Sequence, residues 1–226
     1  MRKPPPFGSE RWVPAVSRRG ALLLPLVIAA AFGAETGAVL TGAVQTGAVQ
    51  TGAVQTGAVL KAGVFEPARP APDFTLRGSN GSDLTLSHYR GRLVLLVFGY
   101  TSCTEVCPIT MAVLARARKQ LGASGSDLQV LYVTVDPERD SAERMHQYLA
   151  NFDPSFIGAT GTELELAAVR KAYGIVANKM PAGEGYGIAH SSSVYIVARD
   201  GSLRGMMPFG HPADDYVHDV KLLLKK

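Results

Sequence analysis

The chain has 226 residues, 46% of them hydrophobic, which suits one well-buried core of about 150 residues. Its formal charge of +4 resides in residues 1–61, where Arg2, Lys3, Arg11, Arg18, Arg19 and Lys61 outnumber Glu10 and Glu35; the rest holds 17 basic and 17 acidic side chains. Phosphate binding needs clustered Lys and Arg, so the balanced remainder argues against a nucleic-acid partner.

Residues 1–34 read as an export signal or a membrane anchor. Arg18 and Arg19 precede an uncharged apolar run, Gly20 to Ala34, and a basic flank before such a run is the secretory pattern. The run is short for a membrane-spanning helix, which takes about 20 apolar residues. Ala29-Ala30-Ala31 offers a small-residue cleavage site, and the paired arginines also match a twin-arginine signal. Cleaved signal and retained anchor both fit. Either way the domain is expected outside the cytoplasm, on the periplasmic side, where disulfides persist.

Residues 35–69 are expected to be a flexible linker. Thr36 to Leu60 holds five copies of a pentapeptide, Thr-Gly-Ala-Val-Gln or Thr-Gly-Ala-Val-Leu. A period of five builds no single apolar face on a helix or a strand, and each copy carries a helix-weakening glycine. As a random coil, 25 such residues span roughly 25–30 Å. Pro67, Pro70 and Pro72 then mark the boundary before a domain at 70–226.

That domain alternates strands and helices. Asp73–Leu76 and Asp83–Leu86 flank a turn-rich segment and predict a short N-terminal β-hairpin. Arg92–Tyr100 is a continuous apolar run, as in a central strand buried on both faces. A helix fits Pro108 to Leu121, with a stripe through Ile109, Val113, Ala117 and Leu121 and with Gly122 placed to end it. Leu128–Val135 is the next strand, completing a βαβ unit. Capping boxes at Asp140–Glu143 and Thr162–Glu165 start two more helices. Asp200-Gly201 joins two strands as a hairpin, and a helix carrying Tyr216, Val217, Val220, Leu223 and Leu224 closes the chain. The fold class is α/β: a thioredoxin-like mixed sheet flanked by helices.

Both cysteines lie where the central strand gives way to the first helix. Cys107 precedes Pro108, which predicts Cys107 as the helix cap and Cys103 as a loop residue. The positive end of a helix stabilises thiolate, the form that attacks disulfides and binds metal. A plain disulfide staple is the bland alternative, but a bridge this short constrains little of the unfolded chain. Two thiolates suit soft Cu(I), or Zn(II), and leave room for a third ligand from elsewhere. Of five histidines, His146 and His218 fall on predicted helices, His88 near a turn, and His211 before Pro212. His190 stands just before the strand Val194–Ala198, and in a thioredoxin-like sheet that entry faces the cysteine loop. Met206-Met207 read as strand and core residues rather than copper ligands. Glu105 reads as a solvated loop residue.

The stretch from about Pro70 to Leu224 resembles the Sco/SenC family of copper proteins. The resemblance is carried by Phe98-Gly-Tyr-Thr-Ser-Cys-Thr-Glu-Val-Cys-Pro108, by Val133-Thr-Val-Asp-Pro-Glu-Arg-Asp-Ser141, by Phe156-Ile-Gly-Ala-Thr-Gly-Thr162, and by the strand that follows His190. It implies a thioredoxin-like domain binding copper, as Cu(I) or Cu(II), through Cys103, Cys107 and His190, with Asp136 close to the site or docking a partner. It implies delivery of that copper to the dinuclear site of cytochrome c oxidase subunit II, by a protein expected to be monomeric. Thr104 departs from the family's proline after the first cysteine, and the segment before His190 is unusually rich in glycine. A second function class stays open: a thiol-disulfide reductase in which Cys103 and Cys107 act catalytically on the oxidase site or on other exported proteins. Cys103 is then the exposed nucleophile and Cys107 the buried partner.

Overall fold

The computed structural model describes residues 59–225. The signal or anchor at 1–34 and the repeat as far as residue 58 lie outside the described residues. The main body is one eight-stranded mixed sheet. In chain order its strands are β1 (Gly63–Pro70), β2 (Thr75–Gly78), β3 (Asp83–Thr85), β4 (Leu93–Gly99), β5 (Leu128–Thr134), β6 (Ile157–Thr160), β9 (Val194–Val197) and β10 (Ser202–Met207). They lie side by side as β1-β10-β9-β4-β5-β6-β2-β3. The remaining strands, β7 (Ala177–Ala182) and β8 (Gly185–His190), pair only with each other as an antiparallel ribbon. The helices are α1 (Val106–Leu121), α2 (Ala142–Ala150), α3 (Glu163–Tyr173) and α4 (Ala213–Leu224).

The centre of the sheet follows from the apolar runs. All seven residues of β4 are buried, because successive side chains alternate between two covered faces. Leu93, Leu95 and Val97 meet α1, α2 and α4, through Met111, Leu114, Met145, Leu149, Tyr216 and Val220. Val94, Leu96 and Phe98 point the other way, to Leu166, Val169 and Tyr173 of α3 and to Leu76 and Leu84 of the hairpin β2–β3. Strand β5 runs parallel to β4, as a βαβ crossover requires, and pairs Thr134 with Gly99 at the ends nearest the cysteines. The hairpin β9–β10 turns at Asp200-Gly201, where Gly201 takes φ +85° and the Asp200 carboxylate accepts the Ser202 N–H at 2.8 Å.

Four local expectations change. Residues 63–70, expected as the end of the linker, form β1 along β10. Proline lacks a ladder donor but is tolerated on an edge strand, and the register of β1 is irregular between Val64 and Arg69, around Pro67. Helix α1 starts at Val106, two residues earlier than its proline suggests. Glu105 is the cap and Cys107 lies inside the first turn, because Pro108 removes only an N–H that has no helical partner there. The buried face of α1 runs through Met111, Leu114, Ala117 and Leu121, leaving Ile109 exposed. Finally, Ser141, not Asp140, caps α2; its hydroxyl accepts the Arg144 N–H at 3.1 Å. The capping box Thr162–Glu165 of α3 forms as expected, and Gly122 ends α1 at φ +57°.

Candidate metal centre

The C-terminal ends of β4 and β5 open on the cysteine loop. Gly99 closes β4 beside Cys107: a Cβ on Gly99 would fall 2.9 Å from the Cys107 Sγ and would also meet the Tyr132 ring. Only glycine lets the first turn of α1 sit this close to the strand. The chain then turns through Tyr100 and Thr101, with the Cys103 N–H donating to the Tyr100 carbonyl at 3.2 Å. Cys103 is half-buried in that loop, whereas Cys107 is 3% exposed, and both thiols are free.

The two sulfurs differ in acidity for stated reasons. Burial works against ionisation of Cys103, but the backbone N–H groups of Cys107, Glu105 and Val106 and the Cys107 thiol outweigh it, and the Cys103 pKa falls below the ordinary 9.0. For Cys107, burial dominates over help from Tyr100 and Tyr132 and pushes the thiol up to about 12. The Tyr132 hydroxyl beside it is buried and, among the described residues, has no hydrogen-bond partner. It is a spare donor for charge developing on that sulfur.

His190 ends β8, with three residues between it and β9, and is not in a simple loop entering that strand. Its Nε2 lies 3.8 Å from the Cys107 Sγ. Its Nδ1 lies 2.8 Å from the Ser191 carbonyl, which can only accept, so Nδ1 carries the proton and the Nε2 lone pair faces the sulfur. Burial lowers the His190 pKa, opposed by the Ser191 contact, so the neutral, ligating form prevails at neutral pH. Bonds of about 2.3 Å to sulfur and 2.0 Å to nitrogen, opened to roughly 120°, span about 3.7 Å. The Cys107–His190 separation therefore fits two ligands of one ion. Among the described residues no group of three His, Cys, Asp or Glu side chains is arranged to hold a metal ion; the structure brings together this sulfur–nitrogen pair, with the Cys103 thiol alongside Cys107.

The segment Asp136–Asp140, which follows β5, holds both sides of this centre. Asp140 is fully buried and accepts the Thr101 N–H at 3.0 Å, the Thr101 hydroxyl at 2.5 Å and the Thr134 hydroxyl at 2.7 Å. It fixes the turn that leads to Cys103. Asp136, also fully buried, pairs with the Arg139 Nε and accepts the Tyr186 hydroxyl at 2.8 Å. It reaches the ribbon of His190 through Tyr186. Arg139 and Asp140 lie in the segment 133–141 that carries part of the family resemblance, and Tyr186 shares β8 with His190, but nothing in the sequence assigns any of them, or Tyr132, a role at this centre. Met207 is buried in the core, Met206 packs at its margin, and His146 and His218 lie on α2 and α4, away from the donors.

The SCO1/SenC family model matches residues 65–225. The chain belongs to the SCO1/SenC family. Among relatives, the mitochondrial SCO2 homolog of Bos taurus is 35% identical over 133 residues, covering 57% of this chain and 50% of that protein. The chain thus spans about half the length of that mammalian relative. Bradyrhizobium japonicum ScoI, solved with copper bound, is 29% identical with a TM-score of 0.64, covering 69% of this chain and 99% of that one. BsSco, described as a Sco-family cytochrome c oxidase assembly protein with a disulfide switch, shares the fold at 24% identity and a TM-score of 0.58, covering 74% and 99%.

Proposed function

We propose that this chain is an extracytoplasmic copper chaperone whose Cys103, Cys107 and His190 carry one copper ion to the dinuclear copper site of cytochrome c oxidase subunit II. The observation that carries the reading is the bare His190 Nε2 held 3.8 Å from the Cys107 Sγ. Two thiolates are soft donors that favour Cu(I), and imidazole serves Cu(II) as well, so the same three residues can hold the cargo in either state. The copper bound in ScoI supports this cargo, and the family's association with oxidase assembly supports the recipient. Export through residues 1–34 supports an encounter on the periplasmic side, with the linker giving reach if the segment is retained. Among the described residues no helix is long and apolar enough to cross a membrane.

The split between the two thiols favours a second activity. A half-buried Cys103 of lowered pKa is the better attacking sulfur, and Cys107 is placed to resolve a mixed disulfide. Reducing a target's disulfide would leave Cys103 and Cys107 joined as a disulfide, so the same pair could carry copper only after an external thiol reductant had reopened it.

Copper titration of the reduced protein separates the readings. Wild type is expected to take up one equivalent, and His190→Ala to bind more weakly and lose nitrogen coordination to Cu(II). Absence of stoichiometric uptake by wild type would remove the chaperone role and leave the reductase. Equal binding by both proteins would remove His190 from the ligand set.

A further inference from the structure

His190 sits on the ribbon β7–β8, which is not a strand of the main sheet. Apart from Ile188 the ribbon is exposed or half-buried. An isolated two-stranded ribbon is marginal in water, so the main body must hold it in place.

The contacts that do so converge on Arg139. Its Nε pairs with the buried Asp136, and its Nη1 donates to the Tyr186 carbonyl on β8 at 3.0 Å. Its guanidinium stacks 3.8 Å over the Tyr186 ring and lies 5.5 Å from the Tyr100 ring. Tyr100 then touches the business end of β8. Its hydroxyl accepts the Ile188 N–H at 3.3 Å, and its ring meets the His190 ring edge-on at 5.8 Å. Arg139 thus fills the space between two tyrosines, one on the ribbon and one beside the cysteine loop. Outside this clamp, the Lys179–Glu138 pair at 2.6 Å is exposed and screened by solvent, so it contributes little.

We propose that Arg139 is a positioning residue that sets the distance between the His190 Nε2 and the cysteine sulfurs by clamping β8 onto Asp136 and Tyr100. The proposal rests on the copper reading of His190 for its consequence, but the clamp itself can be read without metal. Asp136 is then a support for the ribbon rather than a neighbour of the ion. Arginine is required for more than charge, because its flat guanidinium stacks and donates at once, and lysine can do only part of this.

The test uses the full chain with Arg139→Gln and Arg139→Lys. In the metal-free, reduced protein, amide exchange at Ile188 and Ala189 is expected to quicken by about tenfold or more in Arg139→Gln, from loss of the stack and two hydrogen bonds. Amides of β4 should exchange as in wild type. With Cu(II) added, the nitrogen hyperfine coupling of bound imidazole should weaken in Arg139→Gln and be partly kept in Arg139→Lys, while two-sulfur uptake of Cu(I) persists. Unchanged Ile188 exchange together with unchanged nitrogen coupling overturns the proposal. If wild type shows no nitrogen coupling, the ligand reading of His190 fails and Ile188 exchange alone decides the clamp. If β4 also loses protection in Arg139→Gln, Tyr186→Leu replaces it. That variant removes the stacking face while sparing the Arg139–Asp136 pair, and wild-type exchange at Ile188 in it counts against the clamp.

Discussion

Cys103 and Cys107 carry the same side chain four residues apart, yet their surroundings move the thiols in opposite directions. The N–H groups at the start of α1 point at charge on Cys103, while the core side of the same turn shuts Cys107 from water. A lowered pKa means that thiolate appears at lower pH than in an ordinary cysteine; a raised one means that it appears later. Between about pH 7 and pH 9, iodoacetamide should therefore alkylate Cys103 with a rate that climbs with pH and levels off early, while Cys107 stays intact. Peptide mass analysis after timed quenching reads both sites. Equal alkylation of the two, or Cys107 reacting first, would show that the helix terminus does not set their order. On the proposed reading, copper binding has to overcome the cost of ionising Cys107. The unpaired Tyr132 hydroxyl is the group on hand to lessen it. At this scale the donors are legible in the sequence because cysteine and histidine are rare here, with two and five copies, and chemically distinct. The residues that place them are not. Arg139 and Tyr186 are common types, and their tasks arise from contacts across 47 and 50 positions.

At the scale of elements, what the sequence conveys tracks burial. Strands β4 and β5 are buried along their whole length, so they show as apolar runs, and the capping residues of α3 show as a pattern three apart. Strands β1 and β7 bury almost nothing and contain proline, so no alternation is written into them. Both read as linker or loop, although one completes the sheet and the other supports His190. Asp140 illustrates a further limit. A carboxylate three residues before Glu143 looks like a cap, but the buried hydroxyls of Thr101 and Thr134 claim it. Strand β1 depends on a contact of the same kind. Asp219 of α4 is fully buried and accepts the N–H groups of Lys61 at 2.7 Å and Ala62 at 2.9 Å, which fixes where the chain enters the sheet. Asp219→Ala should lower stability by about 3 kcal/mol, because two charge-assisted hydrogen bonds disappear and the buried Ala62 N–H loses its acceptor. Asp219→Asn should cost less, since one side-chain oxygen can still accept. Urea denaturation measures both, and a midpoint for the alanine variant equal to wild type would show that the entry of the chain is held some other way.

At the scale of the whole molecule, the sheet has two edges, and each is blunted. Strand β3 is only three residues long, and β1 presents Pro67 and Pro70 with an irregular register. Such edges resist pairing with another copy along the sheet. The same arrangement gives β1 a protective task. It covers β10, whose own edge would otherwise lie open along Ser202–Met207. Two shortened chains test this. One that begins at residue 59 keeps β1, Ala62 in the core and every donor, and is expected to match the full chain in its unfolding midpoint and copper uptake. One that begins at residue 71, just past the domain start at 70 that the prolines suggest, lacks β1 and the two N–H groups on Asp219. It should still contain Cys103, Cys107 and His190, yet unfold at lower urea and self-associate through β10, which sedimentation velocity detects. If the shorter chain stays monomeric and as stable as the longer one, β1 is dispensable and the domain starts where the prolines suggest. If the longer chain already fails, residues before 59 carry stability that the eight-stranded sheet does not supply.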